Sequence, residues 1–190
     1  MILRLDLLRH GETEQGGGLR GSLDDALTAS GWAQMRAAVA EAGPWQRIVS
    51  SPLQRCARFS EELAAQRGLP LHVDANLQEL HFGDWEGRSA AQIMETDADG
   101  LAAFWNDPYA FTPPNGEPVA AFADRVLTAV QRLHREFAGE RVLLVSHGGV
   151  MRLLLAQSRG LPREQLLQVI VAHGALFSIF VAADGGLSEP

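Results

Sequence analysis

Leucine occupies every second position at the start of the chain, in Leu3-Arg4-Leu5-Asp6-Leu7, and then doubles at Leu8, the pattern of a largely buried strand. This strand runs straight into Arg9-His10-Gly11, and a loop holding Gly16-Gly17-Gly18 follows. The period then changes. Trp32, Met35, Val39 and Ala42 step by three and four behind Thr28, whose hydroxyl suits a helix cap. Ile48-Val49 reads as a short strand. Ser51 reads as the cap of the next helix, with Pro52 at its first position and Leu53, Cys56, Ser60 and Leu63 on one face. Gly68 and Pro70 close that helix, and Leu71-His72-Val73 reads as an edge strand. Residues 75–118 keep no steady period and are read as short helices and loops. The clearest helix comes next, through Val119, Phe122, Val126, Val130, Leu133 and Phe137 to a stop at Gly139. Val142–Val145 is a buried strand that turns through Ser146-His147-Gly148-Gly149 into a helix with Met151, Leu154 and Leu155. A last strand is expected from about Ala175 to Val181.

Strands alternating with helices predict an α/β fold around a largely parallel sheet. No repeat or long linker divides the chain, so residues 1–190 are expected to form one domain. Ligands of such sheets sit beyond the carboxyl ends of the strands. His10 and His147 both fall there.

Composition narrows the chemistry. All 16 basic residues are arginine, so a lysine Schiff base and a P-loop lysine are excluded. A phosphate would have to be held by arginine and histidine, and the planar arginine fork suits phosphate oxygens. The net charge of -7 argues against a nucleic-acid partner. No apolar run approaches the ~18 residues of a membrane span, and no basic segment precedes an apolar one at the start. A cytoplasmic protein without a membrane partner is therefore expected. Cys56 is the only cysteine, which rules out an intrachain disulfide and by itself builds no zinc site. It is read as a packed, inert thiol.

Several residues carry possible chemistry. A neutral imidazole at His10 can attack phosphorus without a separate base, and Gly11 permits close approach of a ligand. Arg55 falls in the first turn of a helix, where anions are already favoured. Glu79 lies among apolar and aromatic neighbours that would suit a general acid, yet spacing alone does not select it over Asp84 or Glu86. His147 precedes paired glycines whose N–H groups can face negative charge. Each has a plainer alternative: a loop histidine, a solvated arginine, a surface carboxylate, a capping histidine. Arg58 and His134 are read as solvated, and His173 as a residue near the site without an assigned part. The Gly16–Gly18 run is read as a mobile loop beside the site.

Taken together, Arg9-His10-Gly11-Glu12-Thr13, Ser50-Ser51-Pro52-Leu53-Gln54-Arg55, Glu79 with Gly83-Asp84-Trp85-Glu86-Gly87, and Ser146-His147-Gly148-Gly149 resemble the four signatures of the histidine phosphatase superfamily, in its phosphoglycerate-mutase-like branch. Arg20-Gly21 with Asp24 and Leu27-Thr28-Ala29-Ser30-Gly31 resembles the segment after the nucleophile. The resemblance runs from about Leu3 to Val181. It implies a three-layer α/β/α sandwich and a phosphohistidine on His10. It implies that Arg9, Arg55, His147 and Gly148 hold the phosphoryl group and that Glu79 serves as proton donor and then base. No metal or cofactor is implied, and the partner is a small phosphorylated metabolite. Oligomeric state is not legible. One departure stands out: Gln15-Gly16 occupies the place where the family often has Trp-Asn, and Arg20 or a backbone N–H is expected to replace the asparagine.

Arg88 is the only basic residue between 88 and 118, too little to hold the second anionic group of a mutase substrate, so hydrolysis is expected. Within the family the chain looks most like the α-ribazole phosphatases of cobalamin synthesis, with Trp85, Trp105, Tyr109 and Phe111 offering a face to an aromatic base or simply filling the core. A broad-specificity phosphatase, a mutase-type enzyme, and an inactive phosphate-binding protein are the alternatives.

Overall fold

A computed structural model describes residues 1–190. The strands are β1 (Leu3–Arg9), β2 (Arg47–Ser50), β3 (Leu71–Val73), β4 (Arg141–Ser146), β5 (Leu176–Val181) and β6 (Leu187–Ser188). The helices are α1 (Ala29–Val39), α2 (Gln54–Arg67), α3 (Ala90–Asn106), α4 (Val119–Phe137) and α5 (Gly148–Ser158). One sheet joins the strands in the order β3-β2-β4-β1-β5-β6. Alternation along β1 and β4 sorts the core into two layers. Leu5, Leu7, Val142 and Leu144 pack with α4 and α5 on one face, while Leu8, Leu143 and Val145 pack with α1 and α2 on the other. Burying each such side chain contributes about 1.5–3 kcal/mol. The result is the α/β/α sandwich. No helix is long and apolar enough to cross a membrane.

The sheet is largely parallel, as expected, with two antiparallel strands added at one edge. β3, β2, β4 and β1 run parallel, whereas β5 and β6 are antiparallel additions. After α5 the chain climbs back to the carboxyl ends of the strands, where the Arg9 N–H meets the Ala175 carbonyl at 3.0 Å. From there β5 can only descend against β1.

Three local readings change. Residues 75–118 contain a full helix, α3, bent at Asp97, whose φ of -153° and ψ of 58° are not helical. Asp97 accepts a bond from the Gly100 N–H at 3.0 Å, so a capped second helical stretch begins inside a polar run, which hides the period. The helix α2 starts at Gln54, with Leu53 as its cap. Ser51 stays outside it, with its hydroxyl 2.7 Å from His147 Nε2 and accepting the Leu53 N–H at 3.4 Å. His134 is buried rather than solvated, and its Nε2 lies 2.9 Å from the Met1 carbonyl.

Asp6, fully buried in β1, anchors the other half of the sheet. Its carboxylate accepts from the Ser178 hydroxyl at 2.6 Å, the Trp45 indole at 2.7 Å, the Arg141 guanidinium at 2.8 Å and Arg4 at 3.1 Å. Burial works to raise its pKa, but these four bonds outweigh it and hold the carboxyl below its ordinary value.

Candidate active site

The register of the sheet builds the site. β1 and β4 lie side by side with Arg9 opposite Ser146, so the next residue of each strand emerges at the same edge. Those residues are His10 and His147, and their ring centroids stand 5.3 Å apart.

His10 is 4% exposed. Its Nδ1 lies 2.8 Å from the Gly11 carbonyl oxygen, which can only accept, so Nδ1 carries the proton and Nε2 is left with a free lone pair. Burial first, then the charges of Arg55 and Arg9, push its pKa down to about 3, so the ring is neutral near pH 7. The glycine beside it is required by space, because a β-carbon on Gly11 would overlap the backbone of Gly31. His147 is fully buried and caps α5, with its Nε2 2.7 Å from the Ser51 hydroxyl. Burial and neighbouring positive charge also hold its pKa well below normal. Cys56 lies behind this ring, and burial pushes its thiol up to about 12, as an inert thiol requires.

Three arginines lie on the His10 side of the site. Arg9 donates from Nη1 to the Val171 carbonyl at 2.6 Å, and its Nε is buried without a partner. Arg55, fully buried in the first turn of α2, donates to the carbonyls of Gly21 and Leu23, leaving Nε unpaired. Arg20 donates to the Gly16 carbonyl at 2.7 Å and to Asp25 at 3.0 Å, leaving Nη1 unpaired. Unmet buried donors of this kind cost about 1–3 kcal/mol each. Phosphate oxygens are the acceptors that fit them.

Asp25 is a residue that the sequence reading missed. It accepts from Arg20 at 3.0 Å and lies 3.5 Å from Arg55. Burial works to raise its pKa, yet Thr13 and the two arginines hold it below normal. Its neighbour Asp24, the residue singled out in the sequence, instead receives the Gln54 N–H at 2.7 Å at the start of α2. The Asp24-Asp25 pair was the available signal, but adjacent carboxylates cannot be told apart by spacing.

Of the three acidic candidates, Glu79 lines the cleft and Asp84 and Glu86 do not. Glu79 accepts from Gly149 at 2.8 Å and from Leu80 at 3.0 Å, and it faces the cleft. Glu86 is occupied by the N–H groups of Gly21 and Ser22 at 3.0 and 2.8 Å, and Asp84 by Asn115 at 3.1 Å. A β-carbon on Gly149 would overlap the Glu79 carboxylate. Gly148 lies against the guanidinium groups of Arg9 and Arg152.

A cleft of about 210 Å³ is lined by Arg9, His10, Arg20 and Glu79, and by Arg152 and His173, while Arg55 and His147 are fully buried and lie outside its lining. His173, left without a part in the sequence reading, stands 5.6 Å from His10, and burial and Arg9 lower its pKa. Gly16 and Gly18 line the cleft too, which places the glycine run at the site. A second, mostly apolar chamber of about 240 Å³ adjoins the cleft, sharing Leu19, Glu79, Phe82 and Arg152 with it. Of the four aromatic residues considered for a substrate face, Trp105 lines this chamber and is 51% exposed. Trp85 is 1% exposed and stacks on Phe111 in the core at 5.6 Å, and Tyr109 packs against the same core.

Residues 5–188 match the family model described as the histidine phosphatase superfamily (branch 1). The chain is 34% identical over 181 residues to the adenosylcobalamin/alpha-ribazole phosphatase of Escherichia coli (strain K12), covering 93% of this chain and 89% of that protein. It is 36% identical over 172 residues to the glucosyl-3-phosphoglycerate phosphatase of Mycolicibacterium vanbaalenii, covering 85% of this chain and 76% of that one. The crystal structure of the alpha-ribazole phosphatase from Shigella flexneri matches with a TM-score of 0.83 at 32% identity, over 98% of this chain and 94% of that chain.

Proposed function

The chain belongs to the histidine phosphatase superfamily (branch 1), and from that premise we propose that it hydrolyses small phosphate monoesters through a phosphohistidine on His10. The observation that carries this reading is the free Nε2 lone pair of a buried, neutral His10 among arginine nitrogens that lack partners. Nε2 attacks phosphorus as the bond to the leaving oxygen breaks. Arg9, Arg55 and Arg20 take the equatorial oxygens, with Arg20 standing in for the absent asparagine. His147, held by Ser51, and the Gly148 N–H complete the cradle. Glu79 gives a proton to the departing alkoxide. It then takes one from water, whose oxygen attacks phosphorus as the P–N bond breaks, freeing phosphate and His10.

The substrate that fits best is α-ribazole 5′-phosphate. Its phosphate would occupy the cleft, and its aromatic base the apolar chamber bounded by Trp105, Phe104 and Phe122. The similarity to alpha-ribazole phosphatases supports this assignment, while the similarity to glucosyl-3-phosphoglycerate phosphatases makes their substrate the necessary competitor in any assay. Rapid-quench reaction with an activated ester should trap an acid-labile, base-stable phosphoenzyme, and His10→Ala should form none. Turnover by His10→Ala would sink the mechanism. Higher kcat/KM on glucosyl-3-phosphoglycerate than on α-ribazole 5′-phosphate would sink the substrate assignment alone.

A further inference from the structure

Arg152 belongs to none of the signatures that place the chain in its family, yet it borders both cavities. It follows the glycine pair by three residues, on α5, and lines both the phosphate cleft and the apolar chamber. Its Nε donates to the Val169 carbonyl at 3.0 Å, and Arg9 donates to the Val171 carbonyl at 2.6 Å. Alternate carbonyls of an extended segment face the same way. The segment Val169-Ile170-Val171 is thus a rack that holds two guanidinium groups side by side, with the Val169 and Val171 side chains buried and Ile170 turned to solvent. Both arginines approach Gly148, and neither has a carboxylate within ion-pair distance. They differ in reach, because Arg9 borders only the phosphate cleft.

Resting on the phosphatase reading above, we propose that Arg152 is a specificity-determining residue that reads an acceptor oxygen of the leaving group, next to the phosphoester bond. Glu79 supplies the reason for that location. As proton donor it must face the bridging oxygen, and it too lies on the boundary between the two cavities. Arg152 shares this boundary, so its Nη groups meet whatever the substrate carries just beyond that oxygen. A purely apolar leaving group would bury those donors without a partner. Beyond Arg152 the chamber offers Leu80, Phe104, Trp105, Pro108 and Phe122, which match an apolar end. The preferred substrate class is therefore a phosphoester with three successive parts: phosphate, a hydroxyl-bearing or anionic spacer, and an apolar group.

The test compares phenyl phosphate, which has no spacer acceptor, with a nucleoside 5′-monophosphate, which carries ribose hydroxyls and an aromatic base. Arg152→Gln should lose about 10- to 100-fold in kcat/KM on the nucleotide, mainly through KM, because a charged hydrogen-bond partner is removed. The loss on phenyl phosphate should be about tenfold smaller. Arg152→Lys should recover part of the nucleotide loss through its retained charge, and it keeps the test open if the glutamine variant does not fold. Equal losses on both substrates would assign Arg152 to the phosphate and overturn the proposal, as would no loss on either. Phenyl phosphate turnover by the wild type tests the hydrolase reading separately: its absence defeats that reading and this one together, whereas parallel losses defeat only the part given to Arg152.

Discussion

The two halves of β1 hold charge in opposite ways. Around Asp6 every element is closed: four donors from β1, β4, β5 and the loop before β2 meet one carboxylate, and nothing remains to bind. Three residues further, around Arg9 and His10, the polar groups stay open, with nitrogens of Arg9, Arg20 and Arg55 buried and unpaired and one imidazole face bare. Both regions are buried, so burial alone does not mark a site. Satisfaction does: a complete network holds the sheet together, and one that leaves several guanidinium donors unpaired has room for the acceptors of a ligand.

The sharpest way to break the comparison is to remove one group from each half. Arg9→Met should lower kcat/KM by about 10²–10³, the usual cost of removing one transition-state donor. Its melting temperature should equal or exceed that of the wild type, since a buried, unpaired donor goes with it. A large loss of stability would place Arg9 among the structural groups. Asp6→Ala should do the reverse, costing about 1–3 kcal/mol in denaturant unfolding by leaving the buried Trp45 indole N–H without its acceptor, with kcat per folded molecule unchanged. A normal unfolding midpoint would contradict the closed network. A smaller effect, about tenfold in kcat/KM, is expected for Asp25→Asn, because Arg20 and Arg55, proposed above to hold phosphate, stay but lose their charged support; unchanged kinetics would remove Asp25 as a positioning residue.

Acidity separates the halves more gently. The His10 pKa is depressed to about 3, so the unfolded chain binds more protons below its ordinary value near 6.5. Stability is therefore lost from about pH 6.5 downward toward 3, by up to about 1.4 kcal/mol per pH unit for each such imidazole. The lowered pKa of His147 acts in the same direction. Asp6, with its carboxyl held below normal, contributes stability that is full above its unfolded value near 3.9 and lost as pH falls through the folded one. Unfolding followed between pH 6.5 and 4.5 should thus show a shallower slope in His10→Gln, while Asp6→Asn should leave that slope intact. An unaltered slope in His10→Gln would show that His10 titrates normally.

Much of the site was legible because its parts sit at junctions with local signals. A strand that ends in His-Gly and another that ends in His-Gly-Gly announce the carboxyl edge of a sheet, and Arg55 follows a short strand at a helix start. The bend in α3 was illegible because Asp97 interrupts the period with its own cap. The antiparallel turn of β5 was illegible because strand direction depends on where the preceding segment has travelled.

By itself, the sequence determined the chemical vocabulary: arginine without lysine, two histidines at strand ends, one packed thiol, and an alternation that yields an α/β sandwich. These follow from residue type and short-range period, which each segment carries alone. Only the tertiary structure told the three acids apart: Glu79 lines the cleft with the Gly149 N–H on its carboxylate, while Asp84 is turned to Asn115 and Glu86 to Gly21. Only it separated Asp25 from Asp24 and brought Arg152 beside Arg9. Hydrogen bonds and desolvation act through space over a few ångströms, and the partners that supply them here lie tens of residues apart along the chain.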